Sequence, residues 1–112
     1  MVRPTKFEIT CRTNGPKVTL SLTGELDLST VAQLSERVRQ QLDGGADDVT
    51  LDLRELSFMD SSGLRLLIEL HDLSRRDDWN LRLLAPRHEA AVLVLRATGA
   101  DAALPFEDVA EP

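Results

Sequence analysis

The feature of this sequence that most restricts its fold is a hydrophobic period that switches repeatedly between two and about 3.6 residues. Phe7, Ile9 and Cys11 alternate with polar neighbours, and so do Val18, Leu20 and Leu22, the spacing of strands that bury one face. Thr13-Asn14-Gly15-Pro16 lies between them and predicts a hairpin turn. Val31, Leu34, Val38 and Leu42 then fall on one helical stripe that Gly44-Gly45 closes. Ser29 or Thr30 supplies the N-cap, and Thr30 with Gln33 has the form of a capping box. The period returns to two at Val49, Leu51 and Leu53. After a short connection a second helix runs from Leu64 to about Arg75, with Leu66, Leu67, Leu70 and Leu73 on its apolar face. Asp77, Asp78 and Asn80 stop it, and Trp79 covers its end. Leu81 and Leu83 fit a fourth strand and Pro86 breaks it. Arg87 to Thr98 reads as a third helix closed by Gly99, and Leu104-Pro105-Phe106 as a short edge strand.

Strands that alternate with helices imply crossover connections and parallel pairing, hence an α/β fold. A parallel sheet covered on both faces shows continuous apolar runs, whereas three of these strands alternate cleanly. The expectation is a two-layer sandwich: a mixed sheet of four to five strands with helices packed on one face. A chain of 112 residues with 42% apolar content fills one core, so residues 1–112 form a single domain, with its core at about 7–106 and a mobile tail at 107–112.

Charge excludes further classes. The 13 Lys and Arg stand against 19 Asp and Glu, a net charge of −6, and a protein that neutralises nucleic-acid or anionic-membrane phosphates needs the opposite balance. Cys11 is the single cysteine, so no internal disulfide forms, and its face shared with Phe7 and Ile9 predicts a core position. Residues 1–10 carry charges where a signal peptide needs an apolar run, and Leu64 to Leu73 contains Arg65, Glu69, His71 and Asp72, far from the roughly 20 apolar residues of a spanning helix. A cytoplasmic protein is expected.

Chemistry concentrates between the third strand and the second helix, in Phe58-Met59-Asp60-Ser61-Ser62-Gly63-Leu64. Asp60, Ser61 and Ser62 are three candidate N-caps where one suffices. A phosphate on a serine in that first turn would meet free N–H donors and the positive end of the helix dipole, so a phosphorylation switch is compatible with the same residues. Asp27, after the second strand, either stabilises its turn and helix start or joins Asp60 at the C-terminal edge of the sheet. Other chemistry lacks its residues. His71 and His88 have no companion at metal-ligand spacing, no glycine-rich phosphate loop is present, and Gly-x-Ser-x-Gly is missing, so neither a metal site nor a catalytic residue is predicted.

VTLSLTGELD at Val18–Asp27, VTLDLRELSFMDSSGL at Val49–Leu64 and RATGADAALPF at Arg96–Phe106 resemble successive blocks of a STAS domain, in particular of the bacterial anti-sigma factor antagonists. The resemblance runs from about Phe7 to Phe106. It implies a switch protein without catalysis or cofactor. Such a protein binds an anti-sigma factor that is also an ATP-binding serine kinase, frees a sigma factor, and is turned off by phosphorylation and restored by a PP2C-type phosphatase. Carried over by position, Ser61 is the phosphoacceptor. Ser62 stands beside it as a helix-start residue, Asp27 and Asp60 are the flanking acids, and Gly63, Leu64 and Arg65 complete the contact region. Arg65 departs from the family, whose members often carry a small residue there, and implies a surface tuned to a particular kinase. The resemblance also admits a STAS subunit that does not switch, within a transporter, lipid-trafficking or signalling-scaffold assembly. Monomer and weak dimer are both compatible with the sequence.

Overall fold

The computed structural model describes residues 7–107. Its elements are β1 (Glu8–Asn14), β2 (Lys17–Leu26), α1 (Val31–Asp43), β3 (Asp48–Met59), α2 (Ser61–Asp77), β4 (Asn80–Leu84), α3 (Glu89–Thr98), α4 (Ala100–Ala103) and β5 (Phe106–Glu107). The five strands lie in the sheet in the order in which they occur in the chain. β1 pairs antiparallel with β2, and every later pair is parallel. The predicted two-layer α/β sandwich is observed.

Its core follows from register. Val18, Val49 and Leu81 are partners across β2, β3 and β4, as are Leu20, Leu51 and Leu83, and all six are buried under the helices. The intervening rows, Lys17-Asp48-Asn80 and Thr19-Thr50-Arg82, belong to the other face and are largely polar. On that face Arg82 holds Asp48 of β3 at 3.1 Å and Glu107 of β5 at 2.8 Å, tying three parallel strands together. Helices contribute Leu34 and Val38 from α1, Leu64, Leu67 and Leu70 from α2, and Ala91 and Leu95 from α3. At the hairpin, Gly15 has φ +63° and Pro16 cannot follow it into positive φ, which leaves the II′ form that suits the strand twist.

Five details differ from the sequence reading, each for a physical reason. Cys11 is exposed, because β1 is an edge strand and extends past the helical layer; Ile9 of the same strand and Phe7 just before it still pack partly against the core. β3 does not stop at Arg54 but continues to Met59 through two irregularities opposite β2, where Leu22 faces both Leu53 and Arg54 and where Ser57 is the extra residue. Each shift changes which face the next residue meets, so the buried series passes from Leu53 to Leu56 and Met59 and hides the strand from a period-two count. Thr30 adopts a helical ψ of −12° and makes no side-chain cap, so the Thr30–Gln33 capping box does not form. A short α4 follows Gly99, which takes φ +78° to end α3. Glu107, assigned from sequence to the tail, is paired with Leu84 in β5; the rest of that segment, 108–112, lies outside the described residues.

Candidate functional site

The C-terminal ends of β2 and β3 lie side by side, with Leu26 the register partner of Met59. Asp27 and Asp60 are the next residues of the two strands, and the Asp60 N–H donates to the Leu26 carbonyl at 3.2 Å, so two strand-to-helix loops leave the sheet together. This brings the two acidic segments of the sequence to one edge.

The first loop is closed on itself. Asp27 Oδ1 accepts from the Ser29 N–H at 2.9 Å and the Ser29 hydroxyl at 2.7 Å. Thr30 Oγ1 accepts from the Asp27 N–H at 2.9 Å and donates to the Glu25 carbonyl at 2.8 Å. The Ser29 hydroxyl, with the further bonds from Ser29 and Thr30, holds the Asp27 carboxyl below the usual carboxylate range, so Asp27 stays charged at neutral pH. Asp27 therefore stabilises its own turn and also stands at the same sheet edge as Asp60.

The second loop distributes its groups differently. Asp60, with the extended backbone of an N-cap, accepts from the Ser62 N–H at 2.8 Å and the Gly63 N–H at 3.2 Å. One carboxylate therefore serves the start of α2, and the neighbouring serines are not needed for it. Ser61 occupies the first helical position, is exposed, and its hydroxyl has no hydrogen-bond partner among the described residues. Ser62 is half-buried. Gly63 is fixed by close approach: a Cβ there would lie 2.8 Å from the Leu26 carbonyl oxygen and 2.8 Å from Met59 Cγ. It locks the beginning of α2 onto the ends of both strands.

Of the residues expected at a contact surface, Ser61 and Arg65 are exposed and Asp27, Asp60 and Ser62 half-buried. Gly63 and Leu64 are buried, since they share the core-facing side of α2 with Leu67. Two apolar residues missing from the sequence reading are exposed on the same loop and helix. Leu28 projects from the first loop with 77% of its area exposed, and Ile68 lies off the buried stripe of α2 with 43% exposed. The sequence signal for each was present, an isolated leucine in a polar loop and an isoleucine outside the Leu66-Leu67-Leu70-Leu73 face.

Leu28, Val31 and Ser35 on one side and Ser61, Ser62 and Arg65 on the other line an open groove of about 390 Å³ between the first turns of α1 and α2. Its chemistry is that of a recognition surface, with exposed apolar area, fixed carboxylates nearby and the hydroxyls of Ser35, Ser61 and Ser62, unengaged among the described residues. Ser61 has no hydrogen bond to His88 or Asp27, and His88 sits instead at the start of α3. No group of His, Cys, Asp and Glu among the described residues is arranged to hold a metal ion. No helix among them is long and apolar enough to cross a membrane.

A family model described as "Mlab, STAS domain" matches residues 9–105. An anti-sigma factor antagonist from Mycobacterium paratuberculosis has the same fold, with a TM-score of 0.73 at 18% identity over 93% of this chain and 87% of its own. The anti-sigma factor antagonist SpoIIAA in its unphosphorylated form gives a TM-score of 0.73 at 25% identity over 95% and 90%. The Bacillus cell fate determinant SpoIIAA in the phosphorylated form gives 0.68 at 24% identity over 95% and 93%.

Proposed function

The chain belongs to the STAS domain family, and from that premise we propose that it is an anti-sigma factor antagonist governed by phosphorylation of Ser61. In this reading the groove beside Ser61 receives an anti-sigma factor that is itself an ATP-dependent serine kinase, and binding frees a sigma factor. The Ser61 hydroxyl takes the γ-phosphoryl group of ATP, giving ADP and a proton. A PP2C-type phosphatase returns the hydroxyl and inorganic phosphate. The protein supplies an acceptor and a surface and performs no catalysis itself.

The observation that carries the reading is exposure of a spare hydroxyl: among the described residues those of Ser61 and Ser62 are both unengaged at the helix start, and Ser61 is the exposed one while Ser62 is half-buried. Asp60 alone caps α2, leaving Ser61 exposed and without a partner at the helix start. Phosphate there, with about −1.5 to −2 charges, is tolerated by the helix dipole yet set beside Asp27 and Asp60 on the contact surface. Phosphorylation thus opposes docking by like charge and bulk at the groove, and the fold does not need to rearrange. The same proposal takes residues 1–112 as one domain with a cytoplasmic location, no nucleic-acid or membrane contact, and a monomeric or weakly dimeric state.

The test is incubation of the protein and of Ser61→Ala with ATP, Mg²⁺ and serine kinases from the same cell, read by intact mass and peptide fragmentation. One phosphate on Ser61, absent from the variant, is expected. One observation favours a second reading, a STAS subunit that docks without switching: the matching family model is described by the word Mlab and not as an antagonist. Absence of phosphate with every kinase tried would select that second reading.

A further inference from the structure

Arg65 lies on α2 four residues after Ser61, one turn along, where side chains at i and i+4 become neighbours. It is exposed, lines the same groove as Ser61, and forms no ion pair among the described residues. The nearest acid on its own helix face is Glu69, again four residues on, in the less favourable order of cation before anion. The opposite wall of the groove, formed on α1 by Val31, Ala32 and Ser35, carries no charge. Arg65 is accordingly the one cation lining the groove, held at the spacing at which a negative group on residue 61 would be paired in the favourable order.

We propose that Arg65 is the intrahelical receptor for the phosphate on Ser61: its guanidinium turns back along α2 and binds the phosphate oxygens, leaving the groove. This rests on the reading of Ser61 as the phosphoacceptor and adds a second consequence of modification. Phosphorylation places an anion in the docking surface and at the same time withdraws its cation, so a partner that uses Arg65 loses that contact too. Guanidinium suits the role through its planar, two-pronged match to phosphate oxygens.

The test separates this from the existence of a kinase by installing phosphoserine at position 61 during translation and following its phosphorus resonance through pH. The second ionisation of a phosphoserine lies near pH 6, and a paired cation lowers it. Other charges facing the phosphate are Asp60 at the helix start, Asp27 in the adjacent loop and Glu69 on α2, and they are common to every variant compared. The expected midpoint is about 0.2 to 0.4 unit higher in Arg65→Ala than in the parent. Arg65→Lys, which keeps the charge but not the fork, should recover part of that difference. Equal midpoints in the parent and Arg65→Ala would overturn the proposal and leave the helix end as the phosphate's partner. Failure of every kinase to modify Ser61, with the midpoint difference intact, would overturn the switching function and not the pairing.

Discussion

Two loops of similar composition stand next to each other at one edge of this sheet and use their hydroxyls in opposite ways. Between β2 and α1, Asp27, Ser29 and Thr30 bind one another and the Glu25 carbonyl, so each hydroxyl is occupied within the loop. Between β3 and α2, Asp60 meets the helix by itself and the hydroxyls of Ser61 and Ser62 are left over. Residue type does not distinguish an engaged hydroxyl from a free one in this protein. The deciding fact is whether a neighbouring carboxylate already satisfies the backbone donors that the hydroxyl would otherwise serve.

The comparison is broken most severely at Gly63, where both loops meet. Gly63→Val places a branched side chain within 2.8 Å of backbone and side-chain atoms that belong to β2 and β3. A loss of about 3 kcal/mol in urea unfolding is expected from overpacking of this kind, and unchanged stability would mean that the two strand ends and α2 are not locked together there. The contrast is sharpened by a pair of smaller changes. Thr30→Ala should cost about 1 kcal/mol because it leaves the Asp27 N–H without its acceptor. Ser61→Ala should stay within about 0.5 kcal/mol of the parent; comparable losses from both would contradict the division between occupied and spare hydroxyls.

The smallest expected effect concerns pH. Hydrogen bonds from Ser29 first, and then Thr30, lower the folded-state pKa of Asp27 from its ordinary value near 3.8. Its ionised form therefore adds stability above that value, and the contribution disappears as pH falls through the lower folded-state value. Asp27→Asn should accordingly be less stable than the parent at neutral pH, with the gap narrowing below about pH 4. A gap that persisted unchanged into stronger acid would show that the loop bonds do not depend on the carboxylate's charge.

Much of the architecture was legible because side chains report burial directly. Val18, Leu20 and Leu22, then Val49, Leu51 and Leu53, then Leu81 and Leu83 alternate in sequence and form the covered face in space. What escaped depends on position across the sheet and not on local pattern. Cys11 has the spacing of a core residue but sits on an edge strand, beyond the helices. Residues 54–59 belong to β3 even though its irregularities break the alternation. At the site, sequence located Asp60, Ser61 and Ser62 but could not rank them as caps, since that choice is made by backbone dihedrals and by the direction of one carboxylate. Leu64 was drawn into the contact region by family resemblance, while its place on the helix sends it into the core.

Because the strands occupy the sheet in the order of the chain, assembly of this fold needs no strand to be inserted between two already placed. Each new strand meets an edge that its predecessor presents, beginning with the β1–β2 hairpin, whose closing turn spans only Gly15 and Pro16. A chain emerging from the ribosome at about 5 to 20 residues per second can therefore fold by addition. The loop carrying Ser61 acquires its geometry only when β3 has docked on β2 and Leu26 has found Met59. Ser61 is thus presented in its folded setting only after the two strands that define it have registered, so recognition of that geometry is also recognition of a completed pairing.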